Sequence, residues 1–282
     1  MIEIIDDQKT TVYDSATRLT FPQFLVKIAR EIFVYRFAWL NFVQTGLRIR
    51  YRRSVLGFFW SLLNPLISLA IITVAFSFLF ERDIKSFGIF LFAGMLPYQY
   101  ISGSVQQATN SLVSAEGYLK RVYLPQMLFP LISVSIESLN FIFSLLSLYV
   151  IVLLFGATFS PTIFLLPFVI LILFFFSFGL GLFLSVLNVF LRDLPNIVSV
   201  GFSALFYATP VIYSIDRFPV NLQSIFKLNP LVYYIDLSRM VILGGQPIQF
   251  WDWMIPILID LVLLILGLWM LMKNSGKIVY RL

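Results

Sequence analysis

Long apolar runs separated by short charged stretches make up most of this chain from residue 54 onward. No charged residue lies between Ser54 and Phe80, and about 20 apolar residues are enough to cross a bilayer. Because a charged side chain costs several kcal/mol in hydrocarbon, this pattern predicts membrane spans. Applied to the whole chain, it predicts an all-α integral membrane protein with six transmembrane helices, at residues 55–80, 87–113, 127–155, 163–191, 196–213 and 253–272.

The segment before the first span has a different periodicity. Its apolar residues recur at spacings of three and four, which predicts one helix with an apolar stripe. Thr20 and Gln23 fit a capping box, so this helix should begin at residue 21. Because the basic residues lie off the stripe, an amphipathic helix in the cytoplasmic membrane interface is favoured over an ordinary packed helix. The stripe comprises Phe21, Leu25, Ile28, Ile32, Tyr35, Trp39 and Phe42.

The charges orient the spans. Arg48, Arg50, Arg52 and Arg53 stand directly before the first span, where Trp60 marks the start of the membrane. Cationic flanks stay in the cytoplasm, and the six-span arrangement puts fifteen of the 20 Lys and Arg residues on that side. We therefore expect a plasma-membrane protein, in bacteria the inner membrane, with both termini cytoplasmic. The predicted divisions are a tail at 1–19, an interface helix and basic linker at 20–53, a transmembrane domain at 54–272 and a tail at 273–282.

Residues 114–126 return the chain to the cytoplasm between spans 2 and 3. The segment is too short and too charged to span the membrane, and Pro125 ends it. Its alternating charged and apolar residues predict a short surface helix with an apolar and a cationic side, although a plain solvated loop fits the composition as well. These residues are Glu116, Tyr118, Leu119, Lys120, Arg121, Val122 and Tyr123.

Residues 214–250 form the longest predicted outer segment. Asn229 and Pro230 fit the cap and the first position of a helix, and Gly244 is a natural stop. A helix over 230–243 would be about 20 Å long, too short for the roughly 30 Å core. We therefore predict re-entrant helices that dip into the outer leaflet, with a shorter one near 219–227. Asp236 and Arg239 are three residues apart and are expected to pair.

Several spans contain polar residues with helical spacing. In span 2 these residues should face either neighbouring helices or a passage, and the two interpretations remain open. They are Ser102, Gln106, Thr109, Asn110 and Ser114. Ser177, Gly181 and Ser185 in span 4 predict close helix packing. Two acids lie within spans, Glu137 and Asp260, and Glu137 is the stronger functional candidate; two isolated acids make a weak argument for a proton-coupled carrier.

The composition excludes several kinds of chemistry. The chain is 60% hydrophobic and 12% charged, with no Cys and no His. Thiol chemistry and disulfides are therefore impossible, and the commonest general base and metal ligand is absent. There is no phosphate-loop motif for ATP. The net charge of +6 follows from basic residues beside the spans, so it does not indicate nucleic-acid binding.

Several short motifs, taken in order along the chain, resemble the membrane subunit of ABC-2 type exporters, in the branch that moves O-antigen, capsule or teichoic acid polymers. Each motif alone is weak, but together they cover nearly the whole chain from about residue 20. They are Tyr51 to Gly57 with Trp60 and Pro65; Glu116 to Pro125; Phe190 to Leu194; Thr209 to Tyr213; and Leu228 to Leu231, leading to Arg239 and Gly244.

This resemblance implies a permease that forms a homodimer and works with two copies of a separate ABC ATP-binding subunit. ATP and Mg would bind that subunit, so this chain would be a transport subunit without a cofactor, not an enzyme. Residues 114–126 would be the coupling helix that docks into the ATPase. The interface helix would form a collar at the cytoplasmic entrance among membrane lipids, and residues 214–250 an outer gate. The implied ATPase contacts are Glu116, Tyr118, Leu119, Lys120, Arg121 and Tyr123.

The implied substrate is a lipid-linked polysaccharide. Aromatic rings can meet the C–H faces of sugars, so tyrosines near the outer side are candidates for the glycan path, although interfacial tyrosines often have no substrate role. The path and gate candidates are Tyr98, Tyr207, Tyr213, Tyr233, Tyr234, Asp236 and Arg239. Two alternatives remain: a permease for a small hydrophobic compound, and a stand-alone carrier. A neighbouring gene for an ABC ATPase would argue against the stand-alone carrier.

Overall fold

The computed structural model describes residues 20–52, 59–80, 83–154, 160–215, 218–245 and 247–282. Within these ranges the fold is all-α, as predicted, and contains no strand. The predicted tail at 1–19 and Arg53 lie outside the described residues. The helices are α1 Phe21–Val34, α2 Arg36–Tyr51, α3 Phe59–Phe80, α4 Ile84–Ser114, α5 Glu116–Leu119, α6 Leu128–Leu154, α7 Leu166–Phe190, α8 Leu194–Ala208, α9 Val220–Phe226, α10 Pro230–Leu243 and α11 Phe250–Arg281; a 3₁₀ turn, Pro161–Leu165, precedes α7.

Three of the described helical stretches are long and apolar enough to cross a membrane: Leu128–Val150, Pro161–Phe190 and Phe250–Arg281. Two shorter apolar stretches, Leu66–Phe78 and Leu194–Ala208, belong to α3 and α8. Helix α4 has 31 residues, which is also long enough. Its second half is rich in Ser, Gln, Thr and Asn, which lowers its hydropathy.

Several helix boundaries differ from the predictions. The N-terminal segment is two helices, because the chain breaks at Tyr35 (φ −90°, ψ 13°). Helix α4 runs through Pro97 without a break. Helix α8 ends at Ala208 and not at 213, because Thr209 precedes a proline and is extended (φ −107°, ψ 136°). Residues 273–282 are not a tail: α11 continues to Arg281.

Helix α7 lies at the centre of the fold and packs on both α4 and α11. The predicted small-residue face is confirmed, because Ser177 and Ser185 are fully buried and a Cβ added to Gly181 would lie 2.5 Å from the Ala108 Cβ of α4. A second close approach was not predicted. A Cβ added to Gly179 would lie 2.8 Å from the Leu264 backbone nitrogen of α11. Small residues therefore allow the α7 backbone to approach two neighbours.

The predicted outer segment, residues 214–250, contains helices at both positions that its capping and stop residues indicated. The Asn229 side chain accepts a hydrogen bond from the Leu231 N–H (3.0 Å), which caps α10 at its start. Gly244 ends α10 with φ +69°, a conformation that favours glycine. The shorter helix α9 occupies Val220–Phe226. The predicted helices are therefore confirmed.

We expect Gly179→Val to destabilise the protein, because the added atoms would meet the α11 backbone, which cannot move aside as a flexible side chain can. Overpacking of this kind costs about 1–3 kcal/mol. The measurement is the thermal unfolding midpoint of the purified protein in detergent. Gly103→Ala in α4 is the matched control, because its Cβ would meet no atom within 4 Å. An equal or higher midpoint for the Gly179 variant would contradict the close packing of α7 on α11.

Candidate translocation path and coupling surface

Helix α4 carries an exposed polar stripe on the side that its neighbours leave open. Gln99, Gln107, Asn110 and Ser114 are exposed, and they follow one another at helical spacing. Ser102 and Gln106, two of the predicted polar residues, are half-buried beside them. The predicted Thr109 does not belong to this surface. It is fully buried, its hydroxyl donates to the Val105 carbonyl (2.7 Å), and its carbonyl accepts from the Asn188 amide (3.0 Å).

Helix α8 carries a second polar stripe. Asn196, Ser199, Ser203 and Tyr207 are exposed at helical spacing, and Tyr207 is 75% exposed. Sequence reasoning identified Tyr207 but missed the three smaller residues, which stand among apolar neighbours in a short span.

Tyr98 joins these two helices and is not on the exposed path. Its side chain is buried in the core, and its hydroxyl donates to the Phe202 carbonyl of α8. Its ring also meets Phe206 edge-on, with centroids 5.2 Å apart. The sequence prediction of a path-lining Tyr98 is therefore wrong: this tyrosine packs α4 against α8.

Tyr234 is likewise a core residue. It is 1% exposed, and its hydroxyl donates to the Asp260 carboxylate (2.7 Å) of α11. Asp260 lies at an apolar groove of about 600 Å³ between α7 and α11. Tyr233 is half-buried, and its hydroxyl donates to the Lys227 carbonyl (3.0 Å). A double Tyr233 and Tyr234 replacement would therefore disturb the packing of α10 as well as any contact with substrate.

Arg239 fastens α10 to the end of α8. Its guanidinium is buried and donates to the Pro210 carbonyl (2.6 Å) and the Val211 carbonyl. The predicted partner Asp236 also acts on Arg239, through the electrostatic attraction of its negative charge. The guanidinium also lies 4.0 Å from the Phe90 ring centroid. A Cβ added to Gly94 of α4 would lie 2.5 Å from this guanidinium, so the glycine provides the space that Arg239 occupies.

An aromatic cluster follows α8. Tyr213 lies 5.3 Å from Phe218 and 6.0 Å from Phe226 of α9, measured between ring centroids. The Tyr213 hydroxyl donates to the Tyr207 carbonyl (2.8 Å). Asn229 at the start of α10 donates to the Thr209 hydroxyl (2.8 Å). The predicted gate residues Tyr207 and Tyr213 are therefore adjacent, next to the attachment of α10.

The predicted coupling segment is one helical turn, α5, followed by a turn at Lys120 and Arg121 and by irregular chain through Tyr123. Leu119 is buried against its own chain, so it anchors the segment and is not open to a partner. Tyr118 is 54% exposed, and its ring meets Phe42 of α2 edge-on at 5.4 Å. The Tyr123 hydroxyl donates to the Glu31 carboxylate of α1 (2.8 Å). The coupling segment is therefore attached to both N-terminal helices.

The rest of this segment is charged and exposed. Lys120, Arg121 and Val122 are exposed, and the Lys120 ammonium pairs with the Glu116 carboxylate at 2.6 Å. The hydrogen bond and positive charge of Lys120 lower the pKa of Glu116, and Arg192 of the α7–α8 loop adds a smaller effect in the same direction. Glu116 therefore stays ionised at neutral pH. Its carboxylate neutralises Lys120, whereas the exposed Arg121 presents its positive charge to a partner.

Glu137 has two side-chain partners. Its carboxylate forms an ion pair with Arg50 of α2 (2.6 Å) and accepts a hydrogen bond from Asn140 (3.3 Å). The predicted intramembrane acid therefore ties the basic linker to α6. The predicted membrane-entry residues Arg52 and Trp60, which flank residues 53–58, are both exposed.

Comparisons with known proteins agree with this architecture. The family model of the ABC-2 type transporter matches residues 38–243. The chain belongs to the ABC-2 type transporter family. This membership confirms the prediction of a multi-pass membrane protein that is a transport subunit, not an enzyme, with ATP hydrolysis on a separate subunit.

Relatives are found among bacterial permeases. The chain is 30% identical over 200 residues to the O-antigen export system permease protein RfbA of Klebsiella pneumoniae, covering 71% of this chain and 77% of that protein. It is 32% identical over 210 residues to RfbA of Myxococcus xanthus, covering 74% and 81%. It is 24% identical over 204 residues to the polysialic acid transport protein KpsM of Escherichia coli, covering 71% and 78%.

We expect Arg239→Gln to destabilise this ABC-2 permease, because a neutral amide cannot reproduce two charge-assisted hydrogen bonds. Each carbonyl left without its donor costs about 1–3 kcal/mol. The measurement is thermal unfolding in detergent, together with the export activity of the stable fraction. Lys85→Gln, an exposed cation near the start of α4, is the control and should be neutral. An unchanged unfolding midpoint for Arg239→Gln would show that these bonds do not hold α8 to α10.

Proposed function

We propose that this chain is the permease of an ATP-driven exporter that moves a lipid-linked polysaccharide across the bacterial inner membrane. It works as a homodimer with two copies of an ABC ATP-binding subunit. In this proposal α3, α4, α6, α7, α8 and α11 provide the six crossings, and the buried non-helical residues after Ala208 continue the short α8, which has 15 residues. Both termini are cytoplasmic, and α9 and α10 are re-entrant on the outer side. The names of its relatives, which are O-antigen and polysialic acid transport proteins, favour a polysaccharide over a small hydrophobic compound.

The observation that carries this proposal is the pair of exposed polar stripes on α4 and α8. Amide and hydroxyl groups that face lipid would lose their hydrogen bonds with water, at a cost of about 1–3 kcal/mol each. Such groups are tolerated at membrane depth when they face a partner helix or a water-filled space. Because α4 and α8 pack directly on each other through Tyr98 and Phe202, the two stripes are neighbours. A second copy facing them would enclose a polar passage.

The chemistry of these stripes suits a glycan. Gln and Asn side chains both donate and accept hydrogen bonds, so they can exchange partners with successive sugar hydroxyls. Neutral polar groups bind each sugar weakly, and weak binding at several sites allows a polymer to advance. Tyr207 offers an exposed ring to the C–H faces of a sugar. The aromatic cluster of Tyr213, Phe218 and Phe226 would form the outer end of the passage, with Asp236 and Tyr233 on the neighbouring α10.

A teichoic acid or another anionic polymer would require compensating cations along the passage. The exposed residues of the α4 and α8 stripes are uncharged from Gln99 to Ser114 and from Asn196 to Tyr207. Arg239 is buried and engaged with backbone carbonyls, so it does not supply such a charge. The two stripes therefore offer no charge that would select an anionic polymer over a neutral glycan.

Single-cysteine variants would test this passage directly, because the chain contains no Cys. We expect Asn110→Cys and Ser203→Cys to react with a water-soluble maleimide, since the reactive thiolate forms only where water reaches the thiol. Attachment of a bulky maleimide at these positions should reduce polysaccharide export at least tenfold. Leu258→Cys, at an exposed apolar position of α11, is the control. It should label slowly and leave export unchanged.

Equal labelling of Asn110→Cys and Leu258→Cys would contradict a water-filled passage along α4. Efficient labelling without any loss of export would show that water reaches these residues but that the polymer takes another route.

The ATPase contact can be tested separately on the coupling segment. We expect a Tyr118→Ala, Lys120→Glu, Arg121→Glu variant to lose co-purification with the cognate ATP-binding subunit, because the exposed ring and both cations are altered. Leu119 must be kept, since its side chain holds the segment to its own chain. A variant with Lys85→Glu and Lys227→Glu, two exposed cations near the predicted outer side, is the control. Full retention of the ATPase by the triple variant would rule out this docking surface.

A further inference from the structure

The last two turns of α11 are a rigid cytoplasmic extension and not a tail. Ile278 is fully buried in the hydrophobic core. The Gln126 amide, which directly follows the coupling turns, donates to the Ser275 carbonyl (2.8 Å). The Arg192 guanidinium lies 3.5 Å from the Arg281 carbonyl. The helix therefore continues because both predicted inner loops hold it from the side.

The length of α11 carries its end beyond the lipid headgroups. From Trp253 to Lys273 the rise is about 30 Å, the thickness of the hydrocarbon core. Lys273 also lies over the Trp269 ring, 5.0 Å from its centroid, a pairing suited to the interface. Tyr280 is seven residues further, about 10 Å along the axis, whereas the headgroup layer is roughly 5–8 Å deep on each side.

The outward side of this extension is basic and aromatic. Lys273, Lys277, Tyr280 and Arg281 are exposed and recur at spacings of four, three and one, so they form one stripe beside the side of the helix that buries Ile278. Tyr280 is 92% exposed. A nearly uncovered tyrosine flanked by cations is typical of an anchor that a protein partner covers, because Tyr and Arg are enriched at the energetic centres of interfaces.

This stripe adjoins the coupling segment. The Gln126 hydrogen bond links the segment to α11, and Arg192 connects the other inner loop to the end of α11. The charge of Arg192 also reaches Glu116, the first residue of α5. The three cytoplasmic elements, 114–126, the α7–α8 loop and the end of α11, therefore form one continuous surface.

We propose that the stripe Lys273, Lys277, Tyr280 and Arg281 is a second docking element for the ABC ATP-binding subunit, which would contact it with an acidic surface beside the groove that receives the coupling segment. This inference rests on the proposed pairing with an ATPase. Anionic lipid is the other ligand that a basic stripe attracts, and it fits Lys273 at the interface. The position of Tyr280 beyond the headgroups, and its continuity with the coupling segment, favour the protein partner.

The test measures the affinity of the purified ATP-binding subunit for the full-length permease in nanodiscs of neutral phosphatidylcholine. A Lys277→Glu, Tyr280→Ala, Arg281→Glu variant should bind at least tenfold more weakly than wild type, and higher salt should weaken wild-type binding. The matched control is a Lys85→Glu, Lys227→Glu variant, which makes the same charge change near the predicted outer side and should leave the affinity unchanged. Thermal unfolding checks that the triple variant keeps its fold. We expect it to do so, because all three substituted side chains are exposed.

Three results would overturn the inference in distinguishable ways. Wild-type binding followed by an unchanged affinity of the triple variant rejects the second docking element while leaving the proposed function intact. In a second outcome, the triple variant binds the ATP-binding subunit as tightly as wild type in phosphatidylcholine nanodiscs but more weakly than wild type in nanodiscs that contain phosphatidylglycerol. That result assigns the stripe to lipid. No binding by the well-folded wild-type permease rejects the proposed ATPase pairing itself.

Discussion

The close approach of α7 to two neighbouring helices is the contact on which the rest of the fold depends. In a membrane there is little hydrophobic gain from bringing apolar helices together, so association relies on tight packing and on hydrogen bonds between helices. Gly181 allows α7 to approach α4, and Gly179 allows it to approach α11. The Asn188 amide adds a hydrogen bond to α4. With its buried side fixed in this way, α4 presents its polar side away from the core.

The same buried contacts organise both ends of the proposed passage. On the proposed outer side, Arg239 holds the end of α8 to α10, and Tyr234 holds α10 to α11 through Asp260. These helices can therefore move together. The aromatic cluster around Tyr213 contacts α9 and, through a hydrogen bond to the Tyr207 carbonyl, the end of α8. On the proposed cytoplasmic side, Tyr123 connects the predicted coupling segment to α1. A push from the ATPase would accordingly reach the N-terminal helices as well as the spans.

Local signals in the sequence were sufficient for elements that depend on neighbours in the chain. Asn229, Pro230 and Gly244 predict α10 because caps and stops act through the adjacent backbone. The sequence could not reveal which tyrosines face a passage, because a tyrosine is stable in an exposed position and also in a core where its hydroxyl finds a partner, as Tyr98 and Tyr234 do. The end of α11 was also missed. Asn274, Ser275 and Gly276 are residue types typical of loops. In the structure this segment is helical and is held by contacts from Gln126 and Arg192, which are distant in sequence.

The most direct test of this account is transport in proteoliposomes that contain the permease and its cognate ATP-binding subunit, with lipid-linked polysaccharide supplied on the cytoplasmic side. The measured quantity is the fraction of polysaccharide that becomes protected from an added glycan-degrading enzyme. The account predicts protection that requires ATP and both subunits. Protection without the ATP-binding subunit, or movement of a small hydrophobic compound but not of the polymer, would contradict it.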